Sequence, residues 1–505
     1  MKTAHVTKLS LAASLALAST AMMAQRNGPD WNTAGFDVQR SHWMKADKDV
    51  TSASVAKQGF ELIWKQKIDG VKVGLSEPII VGTFIGWKGF KDLVLFQDGT
   101  GNLYVYDSDL GVPYFDKRFN NTSAAKPCAL ASIGAPGRPS LLEPAAAMTR
   151  PGASPYHSVI GKPDEGVPGG MNPQRFGRPP GATQPEATPG LNQGGRAATP
   201  MYTVTADGTL HIMAHGTGNE YEKPTPFVPA GSAASDISSV NKVVYVATLQ
   251  GCGASPNTLF AMDRTDPAKP VVKQWKPESG NILGAPAFST GGNLYVTTTK
   301  QMAALDPKTL NAKVMSNKGF ASTPMIFTTA DKKEYVAAGT ADGKLVVMDA
   351  GTGAVVASAG EEQKTPFMPT AMATWDAAGT RYILVTDKTK QKAPVVAYTF
   401  SGGKLQTAWT TTELEAPGNP LVLNGVVFVL ATGEQRGSAD PADRAKGKPA
   451  VLYAYDGKTG KALWNSGTAI AAAVTTSGIA TGSGMLYLAD SANTIYAFGF
   501  PQERQ

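Results

Sequence analysis

The stretch LYAYDGKTGKALW, residues 452–464, constrains what this chain can fold into more than any other. A short strand with two outward tyrosines, Tyr453 and Tyr455, runs into an Asp-x-x-Thr-Gly turn, and a second strand carrying Trp464 returns. An aspartate at a strand end can accept the turn's backbone N–H groups, a threonine hydroxyl does so more weakly, and glycine supplies positive φ at little steric cost. Such a unit cannot bury its own apolar faces. It has to stack on copies of itself.

Copies recur in one register. They are GNLYVYDSDLGVPYF (101–115), GTLHIMAHGTGNEYE (208–222), NTLFAMDRTDPAKPV (257–271), KQMAALDPKTLNAKV (300–314), GKLVVMDAGTGAVVA (344–358) and the looser PVVAYTFSGGKLQTAW (394–409). A last copy, NTIYAFGF (493–500), stops where its turn should begin. Each follows another candidate strand or two, such as LVLFQD (93–98), VVYVATL (243–249) and VVFVLATG (426–433). Four-stranded units at this spacing predict propeller blades. Third strands ending at Tyr106, Met213, Met262, Leu305, Met348, Tyr398, Tyr455 and Phe498 predict an all-β, eight-bladed β-propeller, with seven blades the alternative. The eighth blade lacks a fourth strand, and FELIWKQKID (60–69) is a strand without a blade. Pairing the two termini closes the ring and removes an exposed sheet edge.

The register assigns structural roles. Asp107, Asp263, Asp306, Asp349 and Asp456 open the repeat turns, and Gly460, with Gly111, Gly218 and Gly353, completes them. Trp464 is the large apolar anchor of its sheet, with Phe115 in the same column and Trp275 and Trp409 displaced by insertions. Trp64, on the closing strand, fills the column missing from the last blade.

Composition narrows the class. The chain has 505 residues, 54 glycines, 35 prolines and 42% hydrophobic content, which marks a turn-rich globular protein. The formal charge of +7 includes Lys2 and Lys8 of the leader and is too mild and scattered to imply nucleic-acid binding. Residues 1–24 read as a Sec-type secretory signal peptide, with two lysines, an apolar Ala/Leu run and small residues at Ser19, Ala21 and Ala24. No later stretch is long enough to span a membrane. The expectation is a single propeller domain over 25–505, monomeric, periplasmic or secreted. Two cysteines, Cys128 and Cys252, suit one disulfide in an oxidising compartment, with two buried thiols as the alternative. Residues of about 120–198 are rich in Pro, Gly and Arg without strand patterning and read as an irregular insertion; a smaller one spans 434–449.

The repeat resembles the PQQ-type repeat of quinoprotein dehydrogenases and of related non-enzymatic propellers. A second likeness is independent: DWNTAGFDVQRSHWM (30–44) followed by VTSASVAKQGFELIWK (50–65) looks like the opening segment of those dehydrogenases. The resemblance implies an exported eight-bladed propeller and, in its enzymes, PQQ and calcium on the axis. Calcium is held there by a Glu, an Asn and an Asp, beside a second Asp as base, a tryptophan under the quinone and a disulfide between adjacent cysteines. Here no cysteines are adjacent, and ATWDAAG (373–379) shares only a Trp-Asp pair with the catalytic stretch. GTGN (216–219) resembles the loop of the calcium-binding Asn, but Thr217 and Gly218 share columns with Thr459 and Gly460, which makes it an ordinary turn.

Other candidates have equally plain readings. His211, Met213 and His215 alternate along a strand and could bind copper, yet the first two occupy packing columns. Arg138, Arg150, Arg175, Arg178 and Arg196 could line an anion site, or be solvated loop charge. No catalytic residue, cofactor or metal site is predicted. The preferred expectation is a non-catalytic propeller that binds a protein, peptide or glycan in the cell envelope. Alternatives are a PQQ- and calcium-dependent dehydrogenase of alcohols or sugars, and an outer-membrane assembly scaffold.

Overall fold

In the computed structural model the described residues are 31–119, 140–141 and 200–501, less positions 32, 46, 48, 58, 72–73, 87–88, 215, 250–252, 361–366, 439 and 476–477. Strand composition follows position within each blade. Inner strands such as Val243–Thr248 and Val426–Ala431 are buried at every residue, because neighbouring blades cover both sheet faces, and they read as unbroken apolar runs. Outer strands such as Val271–Trp275 stay largely exposed and carry lysine and glutamine.

Seven four-stranded antiparallel sheets and one widened to five strands result, which is the eight-bladed β-propeller that the repeat predicts. Blade 1 runs through Ile79–Gly86, Gly89–Gln97, Leu103–Asp107 and Pro113–Lys117. Blade 7 runs through Pro417–Leu423, Val426–Ala431, Val451–Asp456 and Ala462–Asn465, with Trp43–Met44 added in parallel to its first strand. All eight predicted third-strand ends lie in third strands. Blade 8 borrows its fourth strand: Glu61–Lys67 pairs antiparallel with Thr494–Gly499, so the two ends of the chain close the ring.

Two expectations are corrected. The 120–198 stretch contributes a strand after all: Ser140–Leu141 pairs with Met201 and Tyr202 as the first strand of blade 2. Two residues are too few to show a period. Nor do both tyrosines of the signature stretch face outward. Tyr453 is half-buried, and Tyr455 is buried in the cluster joining blades 6 and 7.

The core is a succession of inter-blade clusters, the largest joining blades 7, 8 and 1 around Phe60 and Trp31. The turn of one blade receives an anchor from the blade before it. The Trp409 indole lies against Gly460 and donates Nε1–H to Gly457 O at 3.0 Å; Trp64 lies against Gly111 and donates to Ser108 O at 2.7 Å. Phe115 meets Gly218 in the same way.

Candidate functional site

The described N-terminal segment does not leave the propeller channel open. Trp31 and Ile80 of blade 1 exchange backbone hydrogen bonds, and Thr33 Oγ1 donates to Ile237 O of blade 3 at 2.8 Å. The carbonyls of Val38, Gln39, Ser41 and His42 then accept from Phe288, Ile326, Thr374 and Val422, on the first strands of blades 4, 5, 6 and 7. Each of these strands has a spare hydrogen-bonding edge facing the axis, and the segment satisfies them in turn. The tight winding needs left-handed backbone at Gly35, Phe36, Arg40 and His42. At Gly35 a Cβ would stand 3.1 Å from the His42 ring, a tight contact added to the left-handed φ, so glycine is favoured there.

Above this plug lies a cavity of about 320 Å³ at the end of the channel where the first strands begin. Ala34, Gly35, Arg40 and His42 form its floor. Arg40 is buried and makes four hydrogen bonds: Nε donates to Pro286 O, Nη1 to Ala34 O and Thr33 Oγ1, and Nη2 to Ser238 Oγ. Its charge supports the floor and holds the plug. His42 Nδ1 lies 3.2 Å from Arg40 O, which assigns the proton to Nδ1 and leaves Nε2 facing the Asn419 amide at 3.5 Å. Burial, with the nearby cations Arg40 and Lys388, pulls the His42 pKa down to about 4, so the ring is neutral at pH 7.

The walls repeat a device of their own. Ser76, Ser235 and Ser322 each donate a hydroxyl to the carbonyl of the next residue, at 2.9, 3.2 and 3.0 Å. Each also accepts a backbone N–H from its blade's inner strands, from Gln97, Ala247 and Gly339. This staple places Glu77, Asp236 and Thr323 at equivalent positions two residues before their first strands, all lining the cavity. Glu77 Oε1 accepts from Gly35 N–H at 3.0 Å and so also fastens the plug. Small and apolar residues, among them Leu283, Ala285, Ala321 and Met325, form the wall of blades 4 and 5. Lys388 completes the lining from the blade 6 hairpin. Its N–H donates to Thr370 Oγ1 at 2.7 Å, and its carbonyl accepts from Arg436, which is itself paired with Glu434 at 2.9 Å in the 434–449 insertion.

The residues singled out from the sequence lie away from this cavity. Asp306, Asp349 and Asp456 each accept two turn N–H groups and a threonine hydroxyl, Asp107 accepts from Asp109 and Leu110, and Asp263 from Thr265. The Thr309 and Thr352 amides, then their hydroxyls, hold Asp306 and Asp349 below the usual carboxylate range. Trp64, Trp409 and Trp464 stand opposite Ala497, Ala397 and Ala454, one column of the repeat. Trp275 lies two residues further along, opposite Leu259, and Lys273 takes the anchor position. In the GTGN turn Gly218 N–H donates to Ala214 O, and Asn219 is exposed. Met213 is core, whereas His211 packs against Phe119 with tilted rings and pairs with Glu220 at 2.9 Å. Cys128, Cys252, His215 and the five arginines of the long insertion fall outside the described residues.

Glu77, Asp236, Lys388 and Asn419 lie outside the turn columns of the repeat, so its register does not mark them. The signal was present as Ser-Glu-Pro, Ser-Asp-Ile and Ser-Thr-Pro ahead of three first strands.

The fold defines a class: an eight-bladed β-propeller with a plugged axis and a polar axial cavity. Solved structures with a similar fold include alcohol and methanol dehydrogenases. Quinohemoprotein alcohol dehydrogenase from Comamonas testosteroni superposes with a TM-score of 0.57 at 13% identity, over 94% of this chain and 82% of that one. A europium-containing methanol dehydrogenase gives 0.56 at 11% identity, over 95% and 99%. No family model matches the chain, and no curated protein sequence matches it. At such identities the likeness is one of fold.

Proposed function

We propose that this chain is an exported, non-catalytic binding module of the cell envelope that takes a small polar ligand in its axial cavity. The observation that carries this is the blind cavity itself: about 320 Å³, floored by the plug and lined by acid, base, amide and hydroxyl groups on stapled backbone. Concave sites of this size with a few fixed polar groups are the usual form of a small-molecule site. A peptide terminus or a saccharide unit would be admitted as readily as a free metabolite. The leader at 1–24 supports export, and a bridge between Cys128 and Cys252 belongs to the same reading. Among the described residues no helix is long and apolar enough to cross a membrane.

A second reading, a PQQ- and calcium-dependent dehydrogenase, is favoured by the shared fold. The residues present do not fit that pair of groups. No Phe, Tyr or Trp is found among the described lining residues to stack a tricyclic quinone. Glu77, the one glutamate among the described lining residues, already accepts the Gly35 N–H through Oε1. The outer-membrane scaffold reading would use the rim and leaves the cavity without a role.

The test is to add PQQ and Ca²⁺ to the purified protein and follow quinone absorbance, thermal shift and dye reduction with alcohols and sugars. The expected result is no turnover. Stoichiometric quinone binding with dye reduction would overturn the non-catalytic reading. Non-reducing peptide mapping should find Cys128 joined to Cys252, and two alkylatable thiols would refute the bridge.

A further inference from the structure

The aromatic column of the repeat holds lysine in two neighbouring blades. Opposite Ala261 and Ala304, where other blades place Trp64, Trp409 and Trp464, blade 3 has Lys273 and blade 4 has Lys313. Other residues do the packing there. Leu310, in the turn position of Gly460, is held at a φ of +59° and packs in the cluster joining blades 3 and 4, and Met315 lies against Gly353 of blade 5. Lys273 Nζ still donates to Lys308 O at 2.8 Å, but the ammonium of Lys313 makes no hydrogen bond or ion pair among the described residues. Charge gathers around this pair. Residues 269–318 carry seven lysines and two acids, a net +5 of the chain's +7. Of those acids, Asp306 has its carboxylate taken up by its own turn, and Glu278 stands beyond the blade 3 strand. Among the described residues, three of the six exposed large apolar side chains, Val271, Val272 and Val314, stand on the same two outer strands.

Val271–Trp275 and Ala312–Ser316 are each the last strand of their sheets, so one backbone edge of each is unpaired in the sheet. Such an edge is a template for a further strand, and lysine is a usual guard against it. The guard selects by charge. It repels another basic edge, including one on a second copy of this chain, and attracts an acidic one. Along blade 4, Lys308 precedes the outer strand, Lys313 lies within it and Lys318 follows it, with Val314 43% exposed beside Lys313. We infer that this edge docks an extended acidic segment of a partner protein, carboxylate side chains alternating with β-branched ones, as a fifth strand on blade 4. Main-chain hydrogen bonds supply the affinity, and the lysines set the choice of partner. A lipid surface offers a strand edge no backbone partners, and the exposed apolar side chains are valines rather than the aromatic residues and leucines that enter a bilayer interface. The surface is independent of the axial cavity.

The test is fluorescence anisotropy on the full chain at pH 7 and low salt, with short rhodamine-labelled peptides. The first alternates glutamate and valine, and the second has lysine in place of glutamate. The third is the first with a central proline, which cannot extend a ladder. Vesicles of phosphatidylglycerol and phosphatidylcholine, read by co-sedimentation, form a separate arm. The expected result is saturable binding of the acidic peptide, lost as salt is raised, at least about tenfold weaker for the proline peptide and absent for the basic one. Lys313→Glu should weaken the acidic peptide by about tenfold or more, with the thermal midpoint of the protein unchanged. Lys404→Glu, on the fourth strand of blade 6, should leave binding as it was. Lys318→Glu takes the place of the first variant should that misfold, and the peptide series uses unaltered protein. Equal binding of the proline peptide, or equal loss from Lys404→Glu, would overturn strand addition at this edge. Vesicle binding without peptide binding would overturn it in favour of a lipid surface, and no binding of any probe would leave the lysines as edge guards alone.

Discussion

At Gly460 the backbone holds φ at +70°, and a Cβ there would stand 2.7 Å from Trp409 Cδ2. Gly379 has a comparable φ of +89° with nothing within 4 Å of its Cβ position. The pair separates two costs. Gly379→Ala should lose only the left-handed backbone penalty, about 1–2 kcal/mol. Gly460→Ala should lose that plus about 1–3 kcal/mol of overpacking, read by urea unfolding of the two variants side by side. His42 offers a different measurement. Its folded pKa of about 4 lies below the unfolded value near 6.5, so between those values the unfolded chain binds the proton and the folded one does not. Stability contributed by the neutral ring is therefore complete above about pH 6.5 and is lost as pH falls toward 4, by at most about 3 kcal/mol. His42→Asn tolerates the positive φ and should flatten this part of the pH–stability curve; an unchanged slope would refute the assignment. A sequence reader can place His42 near the start of the chain, but not beside Asn419, 377 residues away.

Between elements, the recurring need is the carbonyl that follows each turn aspartate. Trp409 and Trp64 satisfy it from fourth strands at Gly457 and Ser108. Where the tryptophan column holds Lys273 or Lys313 instead, a tyrosine from a second strand takes over: Tyr245 donates to Pro307 O at 2.8 Å, and Tyr295 to Ala350 O at 2.6 Å. One physical requirement thus has two chemical answers, which is why a search for tryptophan alone finds an incomplete repeat. Tyr245→Phe should strand the Pro307 carbonyl and cost about 1–3 kcal/mol, seen as a lower midpoint in chemical unfolding with unchanged slope. The strands, the turns and their register were legible because they are local. Asp, Thr and Gly act within five residues of one another. The anchors were legible as residue types but not as contacts, since each reaches out of its own blade.

For the whole molecule, the last repeat ends without a turn, and an aromatic group fills the place. Phe60, just ahead of the closing strand, packs edge-on to Trp464 at 5.0 Å and to Phe500 at 5.3 Å, and meets Phe428 at 5.7 Å. Trp464 thereby docks on the joined chain ends where Trp409 docks on glycine. Phe60→Ala should cost about 3–5 kcal/mol and weaken the closure before any other blade contact, visible as early hydrogen exchange in Glu61–Lys67. By itself the sequence determined the blade count and order, the turn chemistry and the closing strand, because a period of short strands and glycine-aspartate turns admits few other packings. Only the tertiary structure decided that LYAYDGKTGKALW buries Tyr455 between blades, that the N-terminal segment plugs the axis, and that Glu77, Asp236 and Lys388 line one cavity. Those outcomes depend on one residue from each of several distant blades, and no local pattern encodes which of them the ring brings face to face.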